Sequence, residues 1–288
     1  MKRLIVNADD FGYTRGVNAG IIRGFREGII TSATIMANGA AFEDAIEQAR
    51  GNSQLGVGCH LVLVGGKAEA PKQQVGSLVD GDGNLPASLG ALLSKLAIGS
   101  VKLQEIVAEL RAQVQKVVSF GVQPTHFDTH KHTHAHPRVM EALVRVAEEF
   151  KIKRIRKPFE DLRSLLRAAN GGGWVSWKQR ATALASHVSA PRFRRLAHNH
   201  GIVTPERFWG VAATGRLNVP AILAMIGAMP EGANELMCHP GNYDAELENS
   251  ATRLKGERRA ELQALTAPAV REALESNQVQ LISFRELS

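Results

Sequence analysis

Cysteine is nearly absent. The 288 residues contain two, too few for a disulfide scaffold, so the fold must rest on its apolar core and suits a reducing compartment. No apolar run approaches the roughly 18–20 residues that a membrane-spanning helix needs. The first ten residues carry too short an apolar stretch for a signal peptide. No G-x-G-x-x-G turn follows the first apolar stretch, which removes the main support for a dinucleotide fold, and no G-x-S-x-G elbow marks a serine hydrolase. Zinc-finger spacing and RNP motifs are also missing. What remains is an ordinary globular composition, 44% hydrophobic and 22% charged, which excludes a disordered or collagen-like chain. The expectation is a soluble, cytoplasmic protein folded as a single domain over 1–288.

Acidic residues are short in one region. Overall 35 Lys+Arg face 28 Asp+Glu, a net charge of +7. Between Lys151 and Trp209 the count is 13 basic to 3 acidic, a local balance of +10, while the rest of the chain is slightly acidic. A solvated helical face explains this; so does a docking surface for phosphates, nucleic acid or anionic lipid headgroups. The Gly-rich stretch 170–178 reads as a hinge or lid, within a basic helical insert at about 160–208.

Elsewhere, apolar runs of strand length alternate with helical patterns. Strands are expected at 3–7, 33–37, 55–62, 125–130, 152–156, 235–239 and 279–283. Helices are expected at 17–27, 42–50, 101–120, 137–150, 219–229 and 253–276. Pro137 suits a first helical position, where its missing N–H costs nothing. Short apolar strands alternating with helices argue for a parallel sheet covered on both faces. Seven such units favour a distorted or incomplete (β/α) barrel over an open doubly wound sheet.

Chemistry-bearing residues gather at the ends of these strands. His126, Asp128, His130, His132, His134 and His136 form an unbroken period of two, so alternate side chains share a face while the chain is extended. Asn7-Ala8-Asp9-Asp10-Phe11-Gly12 follows the first strand; adjacent carboxylates are costly to bury unless a cation compensates. An N-capping Asp pair is the alternative for this motif. His60 and His239 each close an apolar strand beside a cysteine, Cys59 and Cys238, which should face the helix shell. Any one of these histidines alone reads as a structural residue. Together they occupy the carboxyl ends of parallel strands, the catalytic face of a (β/α) barrel.

The motifs Asn7–Gly12, Gly58–Leu61, Thr125–His130 and Met237–Pro240 resemble, in that order, those of the YdjC-like (ChbG-type) carbohydrate deacetylases. Residues 60–66, 77–83 and the Trp-containing basic insert are most similar to the hopanoid-associated HpnK branch, linked to deacetylation of an N-acetylglucosaminyl hopanoid. The resemblance implies a barrel related to the NodB-type deacetylases and a homodimer. It also implies one divalent metal ion, zinc or magnesium, held by Asp10, His60 and His130, with Asp9 as base. His239 is the best candidate to protonate the leaving amine, because an ordinary imidazole titrates near neutrality. Asp128 can orient a ligand imidazole. His126, His132, His134 and Arg154 complete the candidate set, as substrate-binding or supporting residues. The substrate implied is an acetylated amino sugar, soluble as a chitooligosaccharide or carried on a lipid. Trp174, Trp177, Phe193, Trp209 and the basic charge would then make peripheral contact with the inner membrane. Two rivals are a metal-dependent phosphoesterase, which would want more carboxylates for two metals, and a nucleic-acid binder, which leaves His130 without a role.

Overall fold

The computed structural model describes residues 1–160 and 187–288. Its axis is β1 (Lys2–Phe11), flanked by β2 (Ser32–Ile35), β3 (Gly56–Leu61), β4 (Phe127–Thr129), β5 (Arg207–Trp209), β6 (Gly232–Cys238) and β7 (Val279–Leu281). The strands lie in the order β4-β3-β2-β1-β6-β5, all parallel. One edge of β1 pairs with β6 over its first seven paired positions, Lys2 to Ala8; the other is shared, β7 taking Lys2–Leu4 and β2 taking Asn7, Ala8 and Phe11.

The stretch 152–156, expected as a strand, joins this wall only through single bridges. Ile155 pairs with Phe127, and Arg154 pairs with Val203. Glu206, just beyond Val203, donates its backbone N–H to Ala233 of β6 at 2.8 Å. The wall therefore curls back on itself through isolated bridges. It is the distorted parallel (β/α) barrel that the alternation of strands and helices predicts.

Helices α1 (Arg15–Glu27), α2 (Phe42–Gly51), α3 (Leu89–Ala97), α4 (Leu103–Ser119) and α5 (Pro137–Glu149) cover one part of the wall. Helices α6 (Ala190–Asn199), α7 (Val219–Ala228), α8 (Ala245–Glu248), α9 (Gly256–Leu265) and α10 (Pro268–Ser276) cover the rest. Helix α5 starts at Pro137, and the His136 side chain accepts the Arg138 N–H at 3.3 Å. The helix expected over 253–276 is two helices, because Pro268 has no N–H to continue the ladder. Helix α3 and strand β5 are additional to the expected elements. The Gly-rich stretch 170–178, with Trp174 and Trp177, lies outside the described residues.

Inside the barrel, composition changes by layer. Ile5, Ala233, Ile282, Phe284 and Leu287 form an apolar plug near the start of β1. Above it the interior turns polar, holding buried Asn7, Asp9, His60, His126, Asp128, Arg156 and Glu235. The main core lies outside the sheet, under the helices. Among the described residues no helix is long and apolar enough to cross a membrane.

Candidate active site

A break in β1 creates the site. Strand alternation would send Asp9 and Asp10 to opposite faces. Asp10 instead adopts φ 67°, and the pairing with β2 shifts register between Ala8 and Phe11. Such a bulge re-aims a side chain, and here both carboxylates line one cleft. That cleft, about 1080 Å³, is bordered by Asp9, Asp10, His60, His130, His132 and His239 among others.

Three atoms converge in it. His60 Nε2 lies 3.5 Å from Asp10 Oδ1 and 3.3 Å from His130 Nδ1, and His130 Nδ1 lies 3.4 Å from Asp10 Oδ1. The Asp10 oxygen is buried and accepts no hydrogen bond. A triangle of this size lets one ion sit about 2.0–2.2 Å from all three atoms, the range for zinc with imidazole and carboxylate donors. The donor set thus fits a divalent cation. On the far side of the ring, His60 Nδ1 meets Asp128 Oδ1 at 2.7 Å, with Thr34 Oγ1 at 3.3 Å. A carboxylate behind an imidazole fixes its tautomer and leaves Nε2 as the donor atom toward the site. Burial opposes a proton on His60, but Asp128, Asp9 and Asp10 outweigh it and raise its pKa to about 9.

Beneath lies a buried arginine. Arg156 donates from Nη1 and Nη2 to the two oxygens of Asp9, each at 2.7 Å, from Nε to Glu235 Oε1 at 2.7 Å, and its Nη1 also lies 2.7 Å from Asp128 Oδ2. One guanidinium thus serves three carboxylates, which is what permits them in a buried strand layer. Burial pushes the Asp9 carboxyl up, yet Arg156 and His60 prevail and hold it well below the usual carboxylate range. Asn7 Nδ2 adds a bond to Asp9 Oδ1 at 3.1 Å. A second set, Asp9, His60 and Asp128, also clusters closely, but Arg156 already supplies its positive charge.

The remaining histidines separate. The chain leaves β4 through a 3₁₀ turn, His130–Ala135, in which Lys131 and His132 adopt φ 55° and 53°. The period of two therefore stops being a shared face after His130. His132 borders the cleft, with its Nδ1 buried and unpartnered and its ring edge-on to Phe208. His134 is buried away from the cleft, between Thr129 Oγ1 at 2.6 Å and the Arg156 carbonyl at 3.0 Å. It braces the turn and cannot touch substrate. His126 is likewise enclosed one layer down. It stacks on Phe284 at 3.7 Å, and its Nε2 meets Asn7 Oδ1 at 3.0 Å. Gly58 makes room for it, since a Cβ there would lie 2.6 Å from the His126 ring. Arg154 also sits low: its Nε donates to the Leu287 carbonyl at 2.7 Å, in a separate pocket beside the apolar plug. It does not line the cleft, and it is Arg156, two residues further along, that supports the site's carboxylates.

His239 reaches the cleft as expected, but its electrostatics differ from those of an ordinary imidazole. Burial pulls its pKa down to about 4, against the pull of Asp9 and Asp10, and its Nδ1 has no partner. Cys59 and Cys238 are buried, and Cys238 Sγ donates to the Asn7 carbonyl at 3.4 Å. Arg258 and Glu261, both from α9, complete the site: Arg258 Nη2 meets Asp10 Oδ2 at 2.5 Å, and Glu261 accepts the His239 backbone N–H at 2.6 Å. Of the aromatics expected to face a membrane, Phe193 and Trp209 are buried instead. Phe193 packs against Phe159, and Trp209 Nε1 donates to Asn234 Oδ1 at 3.4 Å.

The fold and site together define a class: a parallel (β/α) barrel whose strands end in an Asp-His-His triangle able to accept a divalent cation. Residues 3–276 match the family described as YdjC-like protein, and the chain belongs to that family. It is 34% identical over 286 residues to a carbohydrate deacetylase of Brevibacillus brevis, covering 99% of each chain. It is also 34% identical over 288 residues to a chitooligosaccharide deacetylase of Yersinia enterocolitica, again covering 99% of each. A carbohydrate deacetylase of Homo sapiens is 31% identical over 301 residues, covering 99% of this chain and 91% of the other. Among solved structures, a protein of Enterococcus faecalis provisionally assigned to cellobiose-phosphate cleavage superposes with a TM-score of 0.81 at 26% identity, covering 98% of this chain and 97% of that one.

Proposed function

We propose that the chain is a metal-dependent N-deacetylase of N-acetylglucosamine-type sugars. The observation that carries this is the Asp10–His60–His130 triangle, with sides of 3.3–3.5 Å, set beside Asp9 and His239 in one cleft. Two imidazoles and one carboxylate suit zinc better than magnesium, which prefers oxygen donors. An ion held there supplies Lewis acidity, polarising an acyl oxygen and acidifying a water.

The rest is done by side chains. Asp9, ionised and clamped by Arg156, presents a fixed negative charge that orients the attacking water and draws its proton. Because its pKa is depressed, Asp9 holds that proton only in passing. His239 is neutral at neutral pH, so the proton it gives to the departing amine must be one it has just received. In this reading the proton passes from water to Asp9, then to His239 and the amine, within the one cleft that both residues line. The named relatives include carbohydrate and chitooligosaccharide deacetylases, which favours an acetylated sugar over a phosphoester. The finer reading is a lipid-borne sugar such as an N-acetylglucosaminyl hopanoid. Its support is the exposed Arg192, Arg194 and Arg195 of α6 within the basic segment.

The test is acetate release from chitooligosaccharides and N-acetylglucosaminyl lipids side by side, with zinc-stripped and zinc-reloaded protein. Activity should vanish on stripping and return on reloading. Asp10→Asn should lose zinc and turnover together, whereas Asp9→Asn should keep zinc and lose turnover by about 10²–10⁴-fold. Undiminished acetate release after stripping would refute the metal reading.

A further inference from the structure

The two halves of the site are joined by a helix that none of the site motifs includes. Arg258 and Glu261 stand one turn apart on α9, on the same face, and both are buried. Arg258 Nη2 bonds Asp10 Oδ2 at 2.5 Å, while Nε is anchored on the Leu254 carbonyl at 3.2 Å. Its guanidinium carbon lies 5.7 Å from the Tyr13 ring centroid, so the fork is held on more than one side. Glu261 accepts the His239 N–H at 2.6 Å on one oxygen and the Gly215 N–H at 3.0 Å on the other. The Arg258 carbonyl accepts the Gly241 N–H at 3.2 Å, pinning the loop just after His239.

We infer that α9 is the positioning arm of the site: Arg258 reserves one Asp10 oxygen so that the other faces His60 and His130, and Glu261 sets the backbone at His239. The inference rests on the metal site proposed above. Arg258 is a positioning residue, acting through Asp10, and Glu261 acts through the His239 backbone.

Charge alone would make the opposite prediction for Arg258. A cation beside a metal ligand repels the metal, so removing it should tighten binding. If orientation is what matters, removing it should loosen binding, as losing a residue that supports a ligand commonly does, by about 10–100-fold. The experiment is zinc affinity by competition with a chromophoric chelator, together with the visible spectrum of the cobalt(II)-loaded protein. Arg258→Met should weaken zinc by about 10–100-fold and alter the cobalt spectrum. Arg258→Lys, which keeps the charge without the fork, should weaken it too, and stays informative should Arg258→Met fail to fold. Glu261→Gln should bind zinc like the wild type while kcat falls about 10–100-fold at unchanged KM. Wild-type zinc affinity and cobalt spectrum in both Arg258 variants, or tighter zinc binding in Arg258→Met, would overturn the role of Arg258. An unchanged kcat would overturn that of Glu261. Wild-type protein that takes up no divalent ion would remove the metal reading and this arm together, an outcome visible before any variant is made.

Discussion

Single residues in this site do their work through the charges they neutralise. Arg156 meets Asp9, Asp128 and Glu235 with one buried guanidinium, and Asp128 in turn holds His60. The consequence is measurable in metal-free protein. His60 keeps its proton to about pH 9 when folded and to about 6.5 when unfolded. A raised folded pKa gives stability that is complete below 6.5 and lost as pH climbs through 9. We expect stripped protein to lose roughly 2–3 kcal/mol between pH 7 and 9, from a shift of about 1.4 kcal/mol per unit at a buried group. Glu235 and Glu261, raised to about 7 chiefly by burial, have given up most of their contribution below this window. Chemical denaturation at the two pH values, on wild type and His60→Gln, checks this: the variant should show a much smaller drop. Under the metal reading, an ion on Nε2 would displace the proton, so zinc-loaded protein should also show a flatter profile. The convergence of Asp10, His60 and His130 was legible in the sequence because each lies near the carboxyl end of a strand in a recognisable motif. Arg156 was not, because Arg154 shares its strand face and nothing in the pattern says which of the two reaches the carboxylate layer.

Elements explain what the motifs miss. Expecting β1 to end near Asn7 was reasonable for a chain meeting two carboxylates. It continues to Phe11 because buried Arg156 and Arg258 lie far away in sequence and neutralise both. Helix α9 was legible only as part of a longer helix, since helical periodicity marks apolar faces and says nothing of an arginine that turns inward. The excursion between β3 and α3 is similar. It reads as a Gly-rich loop, yet α4 holds it firmly. Glu109, fully buried, accepts the Glu69 and Ala70 N–H groups at 3.0 Å each, and Gln113 brackets the Val62 backbone at 2.8 and 2.7 Å. The loop it secures brings Val64, Gly65 and Gly66 to the cleft wall. Glu109→Ala strands two backbone donors, each costing about 1–3 kcal/mol when buried without a partner. The expected result is a loss of roughly 2–4 kcal/mol in urea unfolding, with KM raised more than kcat is lowered. Unaltered KM in a destabilised variant would show that the loop does not shape substrate binding.

At the scale of the whole molecule the question is how a barrel with no membrane-spanning helix among its described residues would meet a lipid-borne sugar, if that is the substrate. Among its described residues, the +10 segment does not form one surface. Arg156 is buried at the centre, exposed Lys151 and Lys153 border the pocket beside the apolar plug, and Arg192, Arg194 and Arg195 are exposed on α6. Phe193 and Trp209 are core residues, so of the described side chains expected at a membrane the exposed cations are the ones left to engage it. Each cation near an anionic surface contributes at most about 1 kcal/mol. The three α6 arginines therefore supply up to about 3 kcal/mol, enough for reversible attachment at low salt. Screening shortens such attraction from about 10 Å at 0.1 M to about 3 Å at 1 M salt. Co-sedimentation should accordingly show binding to anionic but not neutral vesicles, fading along a salt series and lost when Arg192, Arg194 and Arg195 are replaced by Glu. Indifference to anionic vesicles at low salt, with efficient deacetylation of chitooligosaccharides, would leave the soluble sugar as the substrate. Binding that survived high salt would point the other way, to an apolar anchor that neither Phe193 nor Trp209 can provide, because both are already spent on the core.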